Sequence, residues 1–317
     1  MIVGNDHYSK VTSLNCCIND ADSIATILSR HSDDSPDFDV ELLKDVTADE
    51  LRANCKKLFD SDPEIALFYY SGHGYSVSGQ GYLVTVECDV DNRGVDMNDI
   101  LELAIKSKAK NKVIIIDACH SGLMGSSPLD TNISRLPDGM TVITSSRSGE
   151  LSLECGKHGI FTELLIEALD GGASDLFGNV TAGSIYAYID RSLGPWDQRP
   201  VFKTNVSSFV VIRNTEPHMD VGTLREIQYL FKDANSEYAL DPSFEFTNSP
   251  GYTVGLKEPY ADEKNVRIFK IMQKLASVNL VRPKGEDHLY FAAMNSKSCE
   301  LTSYGKYIYR LLKEGKI

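Results

Sequence analysis

Two short stretches hold the residue types of a thiol reaction. Residues 117–122 read DACHSG, with the thiol of Cys119 two positions after the carboxylate of Asp117. Residues 71–74 read SGHG and carry the imidazole of His73. A free thiol is only slightly ionised near neutral pH, so a nucleophilic Cys119 needs a base to take its proton. His73 has the chemistry to do this and to return the proton to a leaving group. The glycines beside His73 would let a substrate backbone approach closely. His120 adjoins the thiol, but neighbouring residues rarely face each other productively, so it is not read as a second base.

These residues need elements that bring them together. Residues 113–116, VIII, form an unbroken β-branched run just before Asp117, and residues 65–70, IALFYY, form another before Ser71. Such runs suit strands buried on both faces in the middle of a parallel sheet. Ligands of open α/β sheets bind at the carboxyl ends of strands. If the two strands are close, Cys119 and His73 emerge at the same edge. Further short strands are expected at residues 2–3, 38–43, 82–86, 141–144 and 209–212. Helices are expected over residues 21–28, 100–105, 161–169 and 184–193, with Asn19 or Asp20 as the cap of the first. Thr47 with Glu50 reads as a capping box for a helix reaching about Phe59. Strands alternating with helices in this way give a mostly parallel α/β sheet covered by helices on both faces.

Composition is that of an ordinary globular chain: 317 residues, 42% hydrophobic and 24% charged. No run approaches the roughly 20 apolar residues of a membrane span, and no signal-peptide pattern opens the chain, so a cytoplasmic location is expected. The seven cysteines are scattered without a CxxC pair, which argues against a disulfide framework or a zinc ribbon. His7, His31, His158, His218 and His288 show no metal spacing and read as surface or packing residues. The net charge of −13 lies wholly in the first 213 residues, because residues 214–317 hold 14 Lys and Arg against 14 Asp and Glu. An acidic body repels nucleic acid and favours cationic partners or simple solubility.

Taken together, the YSGHG and IDACHSG segments resemble the caspase-like cysteine peptidases, most closely the metacaspase and prokaryotic caspase branch. Residues 14–21 (LNCCINDA), 142–154 (VITSSRSGELSLE) and 159–165 (GIFTELL) are similar to further family segments in the same order. The resemblance spans about residues 2–213 and implies a six-stranded caspase-like core. It implies a Cys119–His73 dyad working through an acyl-enzyme, with the backbone N–H groups of Cys119 and Gly74 as oxyanion donors. It also implies an acidic pocket at Asp20 and Asp117, with Cys17 and Ser71 alongside, for an Arg or Lys before the cut bond of a protein substrate. Carboxylates suit a guanidinium and reject an acidic side chain. Residues 123–140 correspond to a loop often cut in relatives, which makes Arg135 a candidate self-cleavage site. Many metacaspases use calcium. Asp89, Asp91, Asp96 and Asp99 supply oxygen donors here, but Ser126 stands where the family tends to place an acid. The expectation is therefore no metal and no other cofactor.

Residues 214–317 read as a separate α+β domain. A helix is expected over residues 221–234 and an amphipathic one over 263–278. Residues 280–294 read as two strands about a turn at Lys284 and Gly285, and residues from Leu301 open a last helix. This order resembles a winged-helix domain. Its lack of net charge argues for a regulatory protein or ligand as partner rather than DNA, and prokaryotic antiviral defence is a setting the resemblance implies. The alternatives are a catalytically silent scaffold and a DNA-binding regulator.

Overall fold

A computed structural model of the chain describes residues 1–77, 80–89, 94–120, 136–145, 154–155, 157–194, 199–252 and 255–317. The candidate positions Asp91, Ser126 and Arg135 lie outside the described residues. The chain divides into two compact units, Met1–Glu216 and Pro217–Ile317.

In the first unit the strands are β1 (Ile2–Gly4), β2 (Leu42–Lys44), β3 (Ile65–Val77), β4 (Gln80–Leu83), β5 (Val95–Asp96), β6 (Asn111–His120), β7 (Met140–Thr144), β8 (Glu154–Cys155), β9 (His158–Gly159), β10 (Asn179–Thr181), β11 (Val201–Asn205) and β12 (Val211–Asn214). Its helices are α1 (Cys17–Leu28), α2 (Ala48–Asp60), α3 (Met97–Lys106), α4 (Ile160–Glu167) and α5 (Ala182–Ser192). The central sheet runs β11-β7-β6-β3-β1-β2, with β4 and β5 attached beyond the end of β3. The pairs of β1 with β2, β1 with β3, β3 with β6, and β6 with β7 are parallel, while β11 closes one edge antiparallel to β7. This is the expected mostly parallel, helix-covered sheet. The details differ: β2 begins at Leu42 rather than residue 38, β4 spans Gln80–Leu83 rather than residues 82–86, β12 pairs with β10 outside the main sheet, and the edge strand β11 was not anticipated.

The period of two along the strands sorts the core into two layers. Val3, Phe68, Tyr70, Ile114, Ile116 and Val142 bury against Leu51, Cys55 and Phe59 of α2 and Ile100 and Ala104 of α3. Ile2, Leu67, Tyr69, Val113, Ile115 and Ile143 bury against Ala21, Ile24 and Leu28 of α1, Leu165 of α4 and Ile185 and Ile189 of α5. Each large apolar side chain so buried contributes roughly 1.5–3 kcal/mol, which fixes the register of β3 against β6. The Thr47–Glu50 capping box forms, with both reciprocal bonds present.

In the second unit, α6 (Val221–Leu230), β13 (Glu237–Ala239), α7 (Glu263–Ser277), β14 (Val281–Lys284), α8 (Leu289–Met294), β15 (Ser298–Leu301) and α9 (Ser303–Lys313) follow in order. A three-stranded antiparallel sheet, β13-β15-β14, packs Cys299 and Leu301 with Phe269, Met272 and Leu275 of α7 in its buried interior. The expected second strand over residues 286–294 is corrected. Leu289–Met294 is helical, and the strand that pairs with β14 is Ser298–Leu301. A six-residue apolar run fits either conformation, and here Leu289, Ala292 and Ala293 bury one helical face.

Candidate active site

The parallel pairing of β3 with β6 extends over ten residue pairs and reaches the sheet edge with Ser71 opposite Asp117, His73 opposite Cys119 and Gly74 opposite His120. Directly paired positions on adjacent strands lie about 5 Å apart. The fold thus brings the two candidate dyad positions together, as the two apolar runs implied.

His73 is buried and held from three sides. Its Nε2 lies 2.8 Å from the carbonyl oxygen of Thr12. A carbonyl can only accept, so Nε2 carries the hydrogen and Nδ1 of the neutral ring carries the lone pair. Its backbone N–H donates to the hydroxyl of Tyr8 at 2.9 Å, and the two rings sit 4.8 Å apart. The Tyr70 hydroxyl donates toward the carbonyl oxygens of His73 and Val84, at 3.0 and 2.7 Å. Gly72 is required here for a reason other than substrate approach. A Cβ on it would come within 2.5 Å of the Tyr70 hydroxyl and 2.8 Å of the Tyr8 hydroxyl. Thr12, Tyr8 and Tyr70 were not anticipated as site residues. The loop from β1 to α1 has no local pattern that announces a partner so distant in sequence.

The acidic candidates also converge. Asp20, in the first turn of α1, accepts a hydrogen bond from the Ser71 hydroxyl on Oδ2 at 3.0 Å. Asp117, at the end of β6, accepts from Thr162 on Oδ2 at 2.6 Å, and Thr162 in turn meets the Tyr69 hydroxyl at 2.6 Å. Gly159 passes both carboxylates: a Cβ built on it would sit 3.2 Å from Asp117 Oδ2 and 3.7 Å from Asp20 Oδ2. Burial, and then the neighbouring Asp117, push the Asp20 carboxyl up to about 7. Burial also raises Asp117 above the ordinary carboxylate range. Two buried carboxylates that resist ionisation are relieved by a cation. Cys17 lies beside them, and burial raises its thiol far above the usual range, so it lines the site as a neutral group.

Two sequence readings of this region are corrected. Asp20 does not cap α1, since the helix begins at Cys17 and the carboxylate of Asp6 takes the N–H groups of Cys17 and Ile18, at 2.9 and 3.1 Å. His158 is not a surface or packing residue, because its Nδ1 lies 2.9 Å from Asp20 Oδ1. Of the acids weighed as calcium ligands, Asp96 caps α3 through the Asn98 N–H at 2.8 Å. Among the described residues no group of three or more His, Cys, Asp or Glu side chains is arranged to hold a metal ion. No described helix is long and apolar enough to cross a membrane.

A parallel sheet that ends a histidine strand and a cysteine strand side by side, covered by helices on both faces, is the architecture of the caspase-like peptidases. Residues 1–209 match the family described as Peptidase_C14, caspase domain, and the chain belongs to it. A crystal structure of a protein from Geobacter sulfurreducens superposes with a TM-score of 0.52 at 18% identity, over 68% of this chain and 96% of that one. Caspase-1 from Spodoptera frugiperda gives a TM-score of 0.49 at 14% identity, over 69% of this chain and 90% of that one. At such identity the likeness to the first is one of fold. No curated protein sequence matches the chain. The family and the fold are those of cysteine peptidases acting on protein substrates.

Proposed function

We propose that this chain is a cysteine endopeptidase that cuts after Arg or Lys. The observation that carries the reading is the His73–Cys119 register together with the Thr12 carbonyl on Nε2 of His73. With the hydrogen on Nε2, Nδ1 accepts the proton of the Cys119 thiol. The thiolate adds to the carbonyl carbon before the cut bond, and the developing oxyanion is met by the backbone N–H groups of Cys119 and Gly74. Such donors contribute about 3 kcal/mol each. The protonated imidazole then gives its proton to the leaving amine, and a thioester links the substrate's new carboxyl end to Cys119. Water, deprotonated by His73, hydrolyses that thioester and restores the thiol.

The pair Asp20 and Asp117, with Ser71 and Cys17 beside it, supports the basic preference. A guanidinium or ammonium entering that pocket brings the counter-charge that two buried carboxylates lack, and an acidic side chain would add a third negative charge. In the second unit, a long helix followed by an antiparallel β14–β15 pair supports a winged-helix-like interaction domain, with α8 inserted between the two strands. We assign it a regulatory role toward the peptidase, in a prokaryotic antiviral setting that phage challenge of cells carrying wild type or Cys119→Ala would test. Self-cleavage after Arg135 belongs to the same reading.

The direct experiment digests a peptide library with wild type and Cys119→Ala. Cuts after Arg and Lys that disappear in the variant are expected. Cuts after other residues would leave the peptidase and remove the acidic pocket. No cuts, together with an unreactive Cys119, would favour a scaffold.

A further inference from the structure

The β8–β9 hairpin carries an imidazole of the chain's own to the acidic pair. His158 Nδ1 sits 2.9 Å from Asp20 Oδ1, with 21% of the His158 side chain exposed against 2% of that of Asp20. The hairpin is tied to α1 a second time by Asn19 Nδ2, which donates to the Lys157 carbonyl at 3.4 Å. Next to His158, Gly159 has only hydrogen where a side chain would meet Asp117 and Asp20. The other Asp20 oxygen is taken by Ser71 and Asp117 Oδ2 by Thr162. Each Asp20 oxygen therefore already holds a partner from the chain itself.

We propose that His158 is a specificity-determining residue, an internal imidazole seated on Asp20 that a basic substrate side chain must displace. The proposal rests on the reading of Asp20 and Asp117 as a pocket for Arg or Lys. The imidazole meets the Asp20 carboxylate, and the adjoining Gly159 lies against Asp117 and Asp20. None of these is basic, so the competition is between one imidazole and one incoming cation. While the imidazole holds Asp20 Oδ1, an incoming guanidinium or ammonium must break that bond before it can make its own.

Benzamidine tests this without turnover, as an amidinium probe whose binding to the full-length chain is measured by calorimetry. In His158→Ala nothing from this position is seated on that oxygen. This variant is expected to bind benzamidine at least about 3-fold more tightly than wild type near pH 8. Equal or weaker binding by the variant overturns the proposal, and His158→Ser serves the same comparison if His158→Ala melts early. Asp20→Asn is measured in parallel. Loss of binding there with no gain in His158→Ala is the failure of His158 alone. Full binding by Asp20→Asn overturns the acidic-pocket reading and the His158 proposal with it.

Discussion

Nε2 of His73 is bonded to the carbonyl oxygen of Thr12 at 2.8 Å, across 61 residues of sequence. Because that partner is a backbone oxygen, no side-chain substitution deletes it, and the tautomer of His73 is set by the path of the loop between β1 and α1. On that tautomer Nδ1 carries the ring's lone pair, as the proposed thiol chemistry requires.

Alkylation follows from this. Iodoacetamide near neutral pH is expected to modify Cys119 in the folded chain, and to do so roughly 10–100-fold more slowly in His73→Ala. Cys16, Cys17, Cys55, Cys88 and Cys299 are buried, and burial raises the thiols of Cys17, Cys55, Cys88 and Cys299. They are expected to stay unlabelled until the chain is unfolded. Peptide mapping by mass reads both outcomes, and rapid labelling of His73→Ala at Cys119 would count against the dyad.

Asp20→Asn should separate stability from specificity. The folded chain holds the Asp20 carboxyl at about 7, above the ordinary 3.8. The fold therefore binds that proton more tightly than the unfolded chain does. The stability linked to this proton is complete below about pH 4 and is lost as pH rises to about 7. Asparagine resembles the protonated form. The variant should melt close to wild type near pH 4 and above it near pH 8, by about 2–4 °C for each kcal/mol, while cleavage after Arg and Lys falls near pH 8. Calorimetric melts across that range check the sign.

Tyr8→Phe removes the acceptor of the buried His73 N–H. A buried donor left unsatisfied costs about 1–3 kcal/mol, and the His73 backbone loses one of its supports. A lower melting temperature and a lower kcat with little change in KM are expected. Gly72→Ala should be more damaging, since its Cβ meets the hydroxyls of both Tyr70 and Tyr8.

Calcium is expected to leave cleavage unchanged within about 2-fold, because Asp96 is committed to capping α3. Rates measured in calcium and in a chelator decide this, and a rise of about 10-fold with calcium would contradict it.

The sequence made the strands of His73 and Cys119 legible because both are unbroken apolar runs that end in chemistry-bearing residues. Long amphipathic helices such as α7 were equally plain, their period lying within one stretch of chain. What stayed hidden depends on partners far away in sequence. Asp20 passed for a cap because nothing local shows that Asp6 already holds the start of α1. His158 passed for a surface residue because Asp20 is 138 positions distant. Residues 289–294 passed for a strand because a short apolar run satisfies both periods, and only packing against its neighbours decides.

The ten-pair register between β3 and β6 has a consequence for quality control. A slip of one residue would set His73 against Ala118 or His120 instead of Cys119. The same slip would turn every side chain of one strand to the opposite layer, placing Phe68 and Tyr70 among the partners of Tyr69. A chain in which His73 has slipped away from Cys119 is therefore also a chain with a broken core. A slipped register inside an intact fold is not a state this sheet can hold, and such errors of assembly surface as unfolded protein open to degradation.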